Sequence, residues 1–268
     1  MIYPIDYCSL SCGGNTENIA CKCPIGSECG SGYKLLLPDE ETKEYIVKVH
    51  NDAREKVASG STNVPGAGNM VALAYADDLQ YTATCWAKQC VFQHDKCRRT
   101  ENFQTAGQNL FASTGQCDGK STFKQVVDAW YSEIQQASAD CITSYNGCSG
   151  HFTQVVWAKT THVGCSRMLA NKKCLIACNY GPAGNMISAP VYDQNPGECE
   201  KESGYTHLCK AAKAIVSQSA SPAADTPTSG GSDASGASGN SSTSAANIKL
   251  QLHQLMPVLP VITFLNIR

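Results

Sequence analysis

The sequence predicts an α/β layered fold, and three observations point to it. Apolar stripes of helical period recur along the chain, and strand-like apolar runs sit between and after them. The composition, 42% hydrophobic against 16% charged, supplies an ordinary folded core. Helices interleaved with a small sheet stack as layers.

The elements follow in order. Pro38-Asp39 opens a first helix, and Ile46, Val49, His50, Ala53 and Val57 then fall on one face. A second helix starts near Asp77, with Leu79, Ala83, Trp86 and Cys90 as its inward stripe. Ser121 is the expected cap of a third, which carries Phe123, Val126, Val127, Trp130 and Ile134. The block His151 to Trp157 reads two ways: its β-branched pair favours a strand, and its place before Ala-Lys suits a helical turn. Asn109–Ala112, Val163–Leu169 and Leu175–Tyr180 read as strands, the last two joined by the polar turn Ala170-Asn171-Lys172.

Around this body the composition shifts. Residues 1–37 are rich in Cys and Gly and read as a loop-dominated arm; 38–195 hold the helices and strands; 196–213 carry a last cysteine pair. Residues 214–246 form a Ser/Ala/Gly-rich linker or stalk, too polar to bury a core and so expected to be disordered. Residues 247–268 are an apolar tail broken by two prolines, too short and polar for a spanning helix. Small residues, a spacer and an apolar end make a glycolipid-anchor signal the alternative to a plain extension. Asn240-Ser-Ser242 is an N-glycosylation sequon.

Sixteen cysteines, all between Cys8 and Cys209, fit an oxidising compartment in which most are paired. Their spacing does not form the two CxxC pairs of a zinc ribbon. MIYPIDYC shows no basic region and no apolar run of secretory length, so the reading as a secreted protein rests on the cysteines. A net charge of -2 gives no general attraction to nucleic acid. The basic run Lys96-Cys-Arg98-Arg99 reads as a solvated face, with weak binding to an acidic polysaccharide as the minor alternative.

Four segments in order resemble the CAP superfamily of cysteine-rich secretory proteins, antigen 5 venom allergens and pathogenesis-related 1 proteins. They are His50-Asn-Asp-Ala-Arg54, Gly107-Gln-Asn109, His151-Phe-Thr-Gln-Val-Val-Trp157 and Cys178-Asn-Tyr-Gly-Pro-Ala-Gly-Asn185. The arm, with Tyr7-Cys-Ser-Leu-Ser-Cys12, resembles the arthropod antigen 5 subgroup. The resemblance implies a three-layer αβα sandwich and the bridges Cys8–Cys21, Cys12–Cys97, Cys29–Cys90 and Cys165–Cys178. Proximity suggests Cys141–Cys148 and Cys199–Cys209, which leaves Cys23, Cys85, Cys117 and Cys174 unassigned.

The family also implies a cleft lined by two histidines and two glutamates. By motif these positions are His94, Gln108, Glu133 and His151. Two imidazoles with open positions suit zinc or another divalent cation, bound without being required. Gln108 departs from the pattern: a neutral amide is a poor ligand and removes one of the two carboxylates an acid–base pair needs. No GxSxG elbow is present, and Ser149 near His151 is no nucleophile by sequence closeness alone. His50, on the apolar stripe, is expected to be a buried hydrogen-bonded residue; His162, His207 and His253 are expected to be ordinary. Trp157 and Tyr180 are expected in the core.

The resemblance implies binding of small hydrophobic molecules such as sterols, fatty acids or eicosanoids. A gap between the facing stripes of the second and third helices is where such a pocket would lie. The expected protein is therefore a secreted, non-enzymatic, antigen 5-like module of venom, saliva or defence. The alternatives are a metal-assisted hydrolase using the His/Glu cleft and a receptor-binding module with a vestigial cleft. An integrin-type Arg-Gly-Asp tripeptide is absent.

Overall fold

The computed structural model describes residues 5–211 apart from 116, 196 and 197. The linker, Asn240 and the apolar tail lie outside the described residues.

The first helix, α1 (Glu40–Ala58), is fixed at its start by Asp39, whose carboxylate accepts the Thr42 N–H at 2.9 Å. Glu40 and Glu41 in its first turn complement the helix dipole. The whole anticipated stripe from Ile46 to Val57 is buried. The second helix, α2 (Asp77–Ala87), ends before Cys90, which takes a left-handed φ of 56° instead of continuing the stripe. Trp86 is only half-buried. The third helix, α3 (Ser121–Tyr131), is preceded by Lys120 as N-cap and has no side-chain cap bond, so Ser121 is its first residue and does not cap it. Ile134 sits on a separate 3-10 turn, Ser132–Gln136. Short α4 (Ala139–Thr143) and α5 (Gly150–Val155) follow. The ambiguous block from His151 is thus helical through Val155.

The strands are β1 (Lys34–Leu36), β2 (Ala74–Tyr75), β3 (Gly107–Thr114), β4 (His162–Ala170) and β5 (Lys173–Gly181). They form one sheet in the order β1-β4-β5-β3, with β2 pairing in parallel with the start of β4. The β4–β5 hairpin turns on Asn171 and Lys172, both at positive φ (51° and 62°), as a two-residue turn of the twist-matching kind requires. Within the loop-dominated arm, β1 is the one strand among the described residues, an edge strand antiparallel to β4.

Register decides which helices cover which face. Gly164, Asn179 and Gln108 lie across from one another on one face, where the Asn179 side-chain amide donates to Thr82 of α2. α2 packs so closely there that a Cβ on Gly164 would collide with the backbone of Ala76, Leu79 and Gln80. Val163, Cys165, Cys178 and Tyr180 point the other way, into a core shared with α1, α3 and α5. The result is three layers, α2 / sheet / α1-α3-α5. The sheet therefore stands between α2 and α3, and the anticipated pocket between their stripes does not exist: each stripe is spent on its own face of the sheet.

Eight disulfides close the described part. They include the four pairs implied by the resemblance and the two drawn from proximity. The four unassigned cysteines form Cys23–Cys85 and Cys117–Cys174. Cys12–Cys97, Cys23–Cys85 and Cys29–Cys90 bind the arm to α2 and the loop after it. Cys199–Cys209 closes a loop whose backbone reaches α1: the Glu55 carboxylate accepts the N–H groups of Thr206, His207 and Leu208 and the His207 ring.

Candidate functional site

Two histidine pairs hang from the start of edge strand β3. His94, exposed in the loop after α2, places Nδ1 2.8 Å from Gln108 Oε1. An amide oxygen only accepts, so Nδ1 carries the proton and Nε2 is left with its lone pair. Gln108 is buried and held in turn: its amide donates to Asn179 Oδ1 at 3.0 Å, and Asn179 donates to Thr82.

His151 opens α5. Its Nδ1 lies 2.6 Å from Glu133 Oε1, while Glu133 Oε2 accepts the backbone N–H groups of His151 (2.9 Å) and Phe152 (3.2 Å). One carboxylate thus orients the ring and satisfies the free donors at the helix start. Burial pushes the Glu133 carboxyl up, but hydrogen bonds from the His151 ring and the two amides, with the charge of His151, outweigh it and hold it below its ordinary value. Trp130 stacks on the imidazole with ring planes 8° apart.

Asn109 joins this half to the core. Its amide donates to the His151 carbonyl at 3.0 Å and to the Tyr180 hydroxyl at 3.4 Å. The Tyr180 hydroxyl donates to His50 Nε2 (3.0 Å), and His50 Nδ1–H donates to the Ile46 carbonyl (2.8 Å). His50 is therefore the buried, hydrogen-bonded residue that its place on the stripe suggested. Desolvation lowers its pKa to about 4 and keeps it neutral.

Gln108 and Asn109 are consecutive, so their side chains leave opposite faces of β3. The His94 pair belongs to the α2 face and the His151 pair to the other, and they share the strand edge. The donor set fits a divalent cation only thinly. Glu133 has both oxygens engaged, Gln108 is neutral and engaged, and the two Nε2 atoms remain. Among the described residues no group of three His, Cys, Asp or Glu side chains is poised around a metal position. A zinc centre takes three or four protein ligands.

Sequence reasoning missed Arg54, although it lay in a quoted motif. Its guanidinium is fully buried, has no acidic partner among the described residues and donates to the carbonyls of Val71, Val155, Trp157 and Thr160. Desolvation lowers its pKa to about 9, and it staples α5 and the loop after it to α1. The signal was an arginine one turn after His50, inside a stripe otherwise apolar. His162 is half-buried, with Nδ1 2.8 Å from the Thr161 hydroxyl, and has no part in the cleft. The Ser149 hydroxyl donates to the Glu133 carbonyl, a structural bond.

A layered αβα body with paired histidines at one strand edge defines the class, and comparison with known proteins agrees. The profile of the Cysteine-rich secretory protein family (CAP) matches residues 47–180. Venom allergen 3 of Solenopsis invicta is 36% identical over 210 residues, 70% of this chain and 89% of that one. Venom allergen 5 of Brachyponera chinensis is 41% identical over 182 residues, 61% and 89% of the two chains. A crystal structure of NaASP2 with Zn2+ superposes with a TM-score of 0.57 at 31% identity, covering 64% of this chain and 96% of that one. The chain belongs to the CAP family, and within it is similar to the venom allergens.

Proposed function

We propose that the protein is a secreted, non-enzymatic, venom allergen 5-like CAP protein whose cleft histidines, His94 and His151, take up a divalent cation through Nε2. The observation that carries this reading is that each ring has its Nδ1 committed to a side-chain oxygen, so in the neutral ring Nε2 is the free ligand atom. A cation held by both rings would take one from each side of the β3 edge, and with only two imidazoles it would be held weakly. A bound cation supplies positive charge at the strand edge and a point of attachment for an anionic oxygen.

The hydrolase reading loses ground to the same geometry. Glu133, the carboxylate paired with His151, is held ionised by three hydrogen bonds and serves as a positioning residue. No second carboxylate stands at 108. Titration calorimetry with Zn2+ and Mn2+ tests the site: His94→Ala and His151→Ala each weaken binding about tenfold. Unchanged affinity in both variants rejects it, and substrate turnover abolished by both would restore the enzyme.

Support for a small hydrophobic ligand (sterol, fatty acid or eicosanoid) comes from the family resemblance. Two surface cavities, of about 320 and 400 Å³, have charged and polar linings, so no lipid-contact residue is assigned. Mass spectrometry of lipids extracted from native protein decides the matter: protein empty across preparations excludes carriage. The receptor-binding reading draws on the exposed apolar side chains Phe92, Met186 and Ile187.

A further inference from the structure

The basic run Lys96-Cys-Arg98-Arg99 has no part in the cleft. It lines a surface cavity of about 320 Å³ together with Ser11 and Gly13 of the arm and Gln104 of the loop before β3. The arm forms one wall because it is tied down at several points. Cys12 is bonded to Cys97, the Ile19 N–H donates to the Cys97 carbonyl, and Asn18 donates to the carbonyls of Leu10 and Arg99. Gly13, with a φ of 77°, adds bare backbone and no side chain to that wall.

The three cations are not equivalent. Arg98 is spent: it pairs with buried Asp95 and donates to the Ala106 carbonyl, which neutralises it and ties the opposite wall. Among the described residues, neither Lys96 nor Arg99 joins an ion pair. Arg99 makes one long bond, Nη1 to the Ser11 carbonyl at 3.3 Å, and its Nε is buried without a partner. A guanidinium with unspent donors, held by its surroundings beside an exposed ammonium, is the donor set a tetrahedral oxyanion accepts.

We propose that this cavity binds the sulfate ester of a small extracellular saccharide. Its volume is at the lower end for a ligand site, enough for one charged sugar unit. The lining mixes polar groups with the apolar surface of the Cys12–Cys97 bridge and Ala106, and its two free cations fall short of the four to eight basic residues with which a protein segment grips an anionic membrane.

The full disulfide-bonded chain is titrated with a sulfated disaccharide, its desulfated counterpart, inorganic sulfate, and vesicles of phosphatidylserine and phosphatidylcholine. The sulfated disaccharide binds, the desulfated one does not, and Arg99→Gln weakens binding about tenfold. Lys96→Gln weakens it severalfold; because Lys96 is exposed, this variant decides the case if Arg99→Gln shifts the thermal midpoint. Competition by inorganic sulfate supports the oxyanion contact. Equal binding of both disaccharides, or binding unmoved by both variants, overturns the proposal. Binding of inorganic sulfate alone makes the cavity a free-anion site and overturns the saccharide; vesicle binding that depends on Lys96 and Arg99, without disaccharide binding, makes it a membrane contact.

Discussion

Glu133 grips His151 twice, by the ring at Nδ1 (2.6 Å) and by the backbone N–H (2.9 Å), so imidazole and helix start are set by one carboxylate. Glu133→Ala leaves the two amides and the ring without an acceptor. The expected loss is about 1–3 kcal/mol of stability, read as a lower denaturant midpoint. Because the folded-state pKa is lowered, the Glu133 contribution is present above the unfolded carboxylate pKa and is lost as pH falls through the folded value. Glu133→Gln therefore flattens the acid limb of a stability–pH curve, and an unchanged limb counts against the double grip.

Arg54 gives the second prediction. Four backbone carbonyls converge on one buried guanidinium, and Arg54→Met would strip the carbonyls of Val71, Val155 and Thr160 of that donor, while the Trp157 carbonyl keeps the Thr160 N–H. The expected cost is roughly 3–5 kcal/mol. Arg54→Lys recovers little, since one ammonium cannot span four carbonyls in a planar array. Equal midpoints for wild type and Arg54→Met would show that these bonds carry no weight.

These two residues show where the sequence was legible. The α1 stripe and the β4–β5 hairpin could be read because their periods, 3.6 and 2, are local properties of the chain. β1 and β2 could not be, being three and two residues long and defined only by their distant partner β4. The same limit misled the pocket: apolar stripes on α2 and α3 say that each is buried, and the sheet face each covers is fixed by register. His94 and Gln108 were recognisable by motif, but Glu133 as a double acceptor needed the 3-10 turn that aims it at α5. Arg54 broke the apolar pattern, and only its carbonyl partners explain why it is inside.

The arm offers a third prediction. Cys12–Cys97 spans 85 residues of chain, and replacing both cysteines by serine removes that constraint from the unfolded state. A loss of about 2–4 kcal/mol is expected. Cys23–Cys85 and Cys29–Cys90 still tether the arm, so the cleavage gained in limited proteolysis falls within residues 9–20 and spares β4 and β5. Cleavage spread through the sheet would mean that the arm and body unfold as one unit.

The final prediction concerns His50 and Tyr180, which join α1 to β5 through one hydroxyl. Burial holds the folded His50 pKa at about 4 against an ordinary 6.5. Between those values the unfolded chain binds a proton that the folded protein refuses, so stability rises with pH across that window and levels off above it. Other groups titrate there too, so the variants isolate the His50 part. His50→Gln lowers the denaturant midpoint at pH 7 and also makes its dependence shallower between pH about 4 and 6.5. Tyr180→Phe removes the donor to His50 Nε2 and the acceptor for Asn109, at a cost of about 1–3 kcal/mol at neutral pH. A His50→Gln protein with the wild-type slope would show that His50 is protonated inside the folded core.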